Sequence, residues 1–79
     1  MRLEFSATAD AAYVYFAPGD HFRTEHLDDG RNIDYDANGR VLGIEFLGVS
    51  QGVELDGLPD AQTLERLLYE QLPQARVFA

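Results

Sequence analysis

Carboxylates are the most abundant chemistry-bearing groups in this chain. Fourteen Asp and Glu stand against six basic residues, all of them Arg, for a formal charge of -8 over 79 residues. Asn32, Asp34 and Asp36 are followed nine residues later by Glu45. Asp34 and Glu45 each alternate with apolar neighbours, so a hairpin between them would set both on one face, with Asn32 beside them and Asp36 at the loop. Carboxylates brought together repel, and one can then titrate high enough to serve as a general acid. Oxygen-rich clusters also attract hard cations such as calcium or magnesium. The same residues could instead form a solvated acidic face, or one that a basic partner recognises. All three readings stay open at this level.

Other chemistry is narrower. His21 and His26 lie five apart on one expected strand, an odd separation that sends them to opposite faces and prevents joint chelation of a metal. The chain has no cysteine, hence no disulfide, thiol nucleophile or thiolate site. It also has no lysine, which removes Schiff-base chemistry and the P-loop lysine. No GxGxxG or GxSxG motif occurs, and Ser6 and Ser50 have no legible histidine–acid partners. We therefore expect no catalytic residue, cofactor or metal. The excess of acid disfavours binding to nucleic acid, and no run approaches the roughly 20 apolar residues of a membrane span. Met1–Phe5 has no apolar stretch, so we expect no secretory signal and a cytoplasmic protein.

The elements that must position these residues follow from periodicity. The length suits one domain, residues 1–79. Leu3 and Phe5 alternate with Arg2 and Glu4, as in a half-buried strand. Asp10, between two alanines, reads as a structural acceptor of backbone hydrogen bonds in the turn that follows. Residues 12–16 are uncharged, β-branched and aromatic, and read as a strand covered on both faces at the centre of a sheet. Within it Tyr13 and Tyr15 share a face and read as core or interface rim. Pro18-Gly19-Asp20 breaks the strand, and residues 21–27 form a more polar one nearer an edge. The hairpin is the strongest signal. With residues 36–39 as the loop, Tyr35 faces Arg40, Ile33 faces Leu42, and Ile33, Tyr35, Leu42, Ile44 and Phe46 share a buried face. Gly39 supplies a positive φ at the loop's end, and Gly43 marks a close approach or a bulge.

After the β-sheet core of residues 1–50, a glycine-containing connection (51–58) includes a short strand at Val53-Glu54-Leu55. The period then becomes helical over 59–72, with Ala61, Leu64, Leu67, Leu68 and Leu72 on one side. Asp60 is the expected N-cap, Pro59 precedes it and Pro73 ends the helix. In the tail, 73–79, Val77 and Phe78 are expected to dock. The fold class is α+β: a small antiparallel sheet of four to five strands, a meander of hairpins, with one C-terminal helix packed on it.

Ala9-Asp10-Ala11, Tyr13-Val14, Thr24-Glu25, Asn32-Ile33-Asp34-Tyr35-Asp36, Gly39 and the run from Val41 to Leu47 resemble a small prokaryotic family known as domain of unknown function 2283. The likeness spans roughly residues 3 to 50. Ala12 stands where that family often has leucine, and the helix lies outside the shared core. The resemblance implies a small β-sheet protein without assigned activity. Some relatives are encoded beside ribonuclease-like toxins, so it also implies an antitoxin-like role.

The resulting expectation is a small acidic, non-enzymatic protein-interaction module. Its candidate interaction face is Asp34, Asp36, Glu45 and Asn32, and its partner a basic protein. One alternative is a metal-dependent or acid–base enzyme using Asp34, Asp36 and Glu45. A second is a structural protein that acts through assembly. A core this small yields about 3–5 kcal/mol, and no disulfide reinforces it, so we also expect a homo-oligomer, dimer or higher.

Overall fold

A computed structural model describes all residues, 1–79. The alternating segments form five strands: β1 (Arg2–Ser6), β2 (Ala11–Tyr15), β3 (Arg23–Asp28), β4 (Arg31–Tyr35) and β5 (Val41–Leu47). They make one sheet in the order β1-β2-β5-β4-β3, and every neighbouring pair is antiparallel. The segment from Phe16 to Phe22 carries the chain from β2 to the far edge, and β3–β4–β5 returns by hairpins until β5 meets β2. A short parallel pair, β6 (Val53–Glu54) and β7 (Val77–Phe78), brackets the helix α1 (Ala61–Gln71).

The apolar half of each alternation faces α1. Ala12, Val14, Ile33, Ile44 and Phe46 from the sheet join Leu64, Leu68 and Leu72 from the helix region in one core cluster. Val49, Val53, Leu55 and Leu58 complete it, so the connection is core rather than linker. Three glycines let this stretch turn repeatedly, Gly48, Gly52 and Gly57 all having positive φ, while its apolar residues point inward. No polar or charged side chain is buried. The other face of the five-stranded sheet carries the polar half of the alternation.

Several expectations need correction. The central strand is β5, and β2 lies beside it, buried on one face only: Ala12 and Val14 are inside, while Tyr13 is half-buried and Tyr15 exposed. An uncharged run can still present phenols to water, because a tyrosine ring packs while its hydroxyl stays wet. In the β4–β5 hairpin Ile33 pairs with Ile44 and Tyr35 with Val41, so Tyr35 does not face Arg40 nor Ile33 Leu42. A bulge between Asp34 and Tyr35 in the pairing leaves Leu42 as the extra residue. The shift at Ile33 is by two residues, an even number, so Asp34 and Glu45 keep the face expected of them. Leu42 itself is buried outside the main cluster, beneath the Gly19 backbone, and Val41 packs against the core in its place. At the start of α1, Asp60 has φ 53 and makes no side-chain capping bond, so it occupies the N-cap position without capping. The helix is accordingly shorter than 59–72. In the tail, Val77 and Phe78 dock by strand pairing with Val53 and Glu54.

Candidate functional site: the open face of the sheet

Two rows of side chains cross the open face. Strand pairing aligns Glu4, Tyr13, Glu45, Asn32 and His26 in the first, and Arg2, Tyr15, Gly43, Asp34 and Thr24 in the second. Gly43 creates the gap between them that Tyr13 uses. A Cβ at Gly43 would collide with the Tyr13 ring, which leans across it so that its hydroxyl donates to Asp34 Oδ2 at 2.7 Å. The close approach expected at Gly43 is therefore this crossing.

The hydrogen bonds of the face run toward three carboxylates. Thr24 Oγ1 donates to Asp34 Oδ1 at 2.5 Å and, with its hydrogen so committed, accepts from His21 Nε2 at 2.7 Å. The same His21 nitrogen stands 3.5 Å from Asp34 Oδ1. Asn32 Nδ2 donates to Glu45 Oε1 at 3.0 Å, while its Oδ1 lies 2.6 Å from His26 Nδ1. Glu4 accepts from the Tyr15 hydroxyl at 2.7 Å and pairs with Arg2 at 3.1 Å. The Arg2 guanidinium also lies over the Tyr15 ring, whose centroid is 4.6 Å from that of Tyr13.

Electrostatics follow from these contacts. Burial, followed by the bond to Asp34, pushes the Tyr13 phenol far above its ordinary range, so it remains a neutral donor. The bond to Glu4 raises Tyr15 as well. Glu4 is held below its usual value, first by the Tyr15 hydroxyl and then by Arg2. Such a surface offers hydrogen-bond acceptors in Glu4, Asp34 and Glu45, the complement of an arginine or lysine.

The structure brings Asp34, Glu45 and Asn32 onto this face, and it separates Asp36 from them. The Asp36 carboxylate closes its own loop: Oδ1 accepts from the backbone N–H of Asn38 and of Arg40, each at 2.9 Å, and Oδ2 lies 3.3 Å from Arg40 Nε. Those amides, with Arg40's charge, hold Asp36 below the usual carboxylate range despite some desolvation. A loop aspartate answers its nearest orphan N–H groups before it can serve a face. No three His, Asp or Glu side chains come together in a geometry that would hold a metal ion.

The histidines also depart from expectation. β3 begins at Arg23, so His21 precedes the strand and is released from its parity. Its ring folds onto the same face as His26. Asp10 is an acceptor of backbone hydrogen bonds, but over long range rather than within its turn: it takes Ser50 N at 2.9 Å and Ser50 Oγ at 2.6 Å. It does so at φ 53, a left-handed conformation. Sequence reasoning misses Thr24, Glu4 and Arg2 as members of the face. Thr24 and Glu4 each sit two residues from another polar residue of their strand, and that alternation is the available signal.

No curated protein and no solved structure gives a significant match to the chain. A family model described as protein of unknown function (DUF2283) matches residues 2–50, the span that holds all five strands and every member of the open face. The chain belongs to that family of proteins of unknown function, DUF2283.

Proposed function

We propose that this protein is a non-enzymatic interaction module whose open sheet face binds a basic protein partner. The observation that carries the reading is the alignment of Glu4, Asp34 and Glu45 across a face that no other layer of the chain covers. The charge of -8 extends the field of that face and would steer a cationic partner toward it. The hydrogen bonds that tie Asp34 to Tyr13 and Thr24 preorganise the face, which lowers the ordering cost of binding. The proposed role is antitoxin-like and the proposed partner a small toxin, a reading that only the family resemblance suggests. The proposal includes a cytoplasmic setting and a homo-oligomeric state. It includes no nucleic-acid ligand, because the same field repels phosphates. No helix is long and apolar enough to cross a membrane.

Affinity capture with the full chain at low and high ionic strength, repeated with an Asp34→Asn/Glu45→Gln variant, tests this reading. The expected result is a basic protein held at low salt, released at high salt and lost with the variant. Undiminished capture by the variant, or a captured partner of acidic character, overturns it.

A further inference from the structure

We infer that β1 is a dimerisation edge, pairing antiparallel with β1 of a second copy so that the two sheets become one of ten strands. The inference deepens the homo-oligomeric reading above and rests on it. β1 ends the sheet, and its outward backbone N–H and C=O groups find no backbone partner within the chain. Edges of this kind are normally blunted by a bulge, a proline or an inward charge. β1 has none of these: its pairing with β2 is continuous from Arg2 to Ser6, and its core-side residues are Leu3 and Phe5. Phe5 and Met1 are both exposed, which leaves apolar surface at the rim of the core. The opposite edge, β3, is protected. Its register slips between His26 and Asp28, and its core-side Arg23 and Glu25 are committed to the Tyr35 ring and hydroxyl.

The sequence of β1 complements itself in one register only. Setting Leu3 opposite Leu3 of the second copy places Arg2 opposite Glu4 and Glu4 opposite Arg2 on the open side, with Phe5 against Met1 twice on the core side. A shift of two residues one way opposes Glu4 to Glu4, and the other way Arg2 to Arg2, and like charges directly opposite are unfavourable. A shift of one residue puts Leu3 against a charged side chain and turns the second copy's open face over. The favoured register keeps both open faces on the same side. Each basic partner would then meet a surface doubled in extent.

The test is the mass of the full chain in solution, by light scattering across a concentration series at physiological ionic strength, with circular dichroism to verify folding of each variant. Wild type is expected at twice the 8.8 kDa chain mass. Arg2→Glu and Glu4→Arg each create like-charge pairs at two symmetric positions and should weaken the dimer by about tenfold or more. The double variant Arg2→Glu/Glu4→Arg restores complementarity and should dimerise again, as should an equimolar mixture of the two single variants. A monomeric wild type would overturn the homo-oligomer reading and this edge together. An oligomer that both single variants leave intact, or that the double variant fails to restore, would overturn the edge and leave the oligomer standing.

Discussion

The two faces of the five-stranded sheet are built from the same strands, with partners one residue apart, yet they are held by different physics. On the covered face Ile44 and Val14 are completely buried and meet the equally buried Leu64 and Leu68 in a contact network of shape and volume. On the open face Glu45, Asp34 and Tyr13 remain in partial contact with water and are organised by directed hydrogen bonds. The difference separates two tasks. The covered face supplies the free energy of folding, and the open face is free to carry charges that a core could not tolerate. Glu45 and Ile44 are adjacent in sequence and answer to different requirements.

The largest effect should come from breaking the covered face alone. Ile44→Ala is expected to cost about 2–5 kcal/mol, because it removes buried methyl groups and leaves a cavity. Glu45→Gln, one residue along, should change stability by less than about 1 kcal/mol. Urea denaturation of the two variants checks the contrast, and similar losses would mean that the faces are not energetically distinct. Next in size is the loop that sets the β4–β5 register. Gly39 has φ 81, and no atom lies within 4 Å of the position a Cβ would take there, so the cost of replacing it is conformational and not steric crowding. Gly39→Val should lose about 1–2 kcal/mol more than Gly39→Asn, since asparagine tolerates the left-handed region and a β-branched residue does not. Equal denaturation midpoints for the two would contradict it.

A smaller effect isolates the open face. Gly43→Ala should push the Tyr13 ring off its seat and break its bond to Asp34, at a cost of about 1 kcal/mol. Tyr13→Phe removes the same bond, so the two changes should be markedly non-additive in a double-mutant cycle. Simple additivity would show that the ring does not depend on the gap. The smallest expected effect is a pH dependence. The folded-state pKa of Tyr13 lies above its ordinary 10.0, so the folded protein holds that proton more tightly than the unfolded chain. The associated stability is complete below pH 10 and is lost as pH rises beyond it. Tyr13→Phe should make the alkaline loss shallower without abolishing it, because Tyr15 and Tyr35 are also raised. An unchanged alkaline slope would remove Tyr13 from the account.

The sheet and the side assignment of Asp34 and Glu45 are legible in the sequence because a period of two survives an even shift in register, and the helix because its leucines recur at helical spacing. The bulge at Leu42 adjoins Gly43, where a close approach or a bulge is expected, but its exact place is not legible, since it arises from how β4 and β5 close their ladder around Asp36 and Arg40. Asp36 sits at the loop as expected but gives its carboxylate to the loop instead of the face, because alternation says which side a residue takes but not which backbone N–H groups a loop leaves orphaned. Asp10 and Ser50 lie 40 residues apart, and local propensity carries no information on such a pair. His21 shows the same limit from another direction: parity applies only inside a strand, and β3 starts two residues later.

The central claim is that the open face, and not the helix side, meets the partner. Backbone amide NMR shifts during titration with a short oligo-arginine peptide at low ionic strength test it most directly. The account predicts saturable, salt-sensitive shifts concentrated at Tyr13, Asn32, Asp34, Glu45 and His26, with α1 from Leu64 to Leu68 unmoved. Shifts centred on α1, or none that saturate, would contradict it.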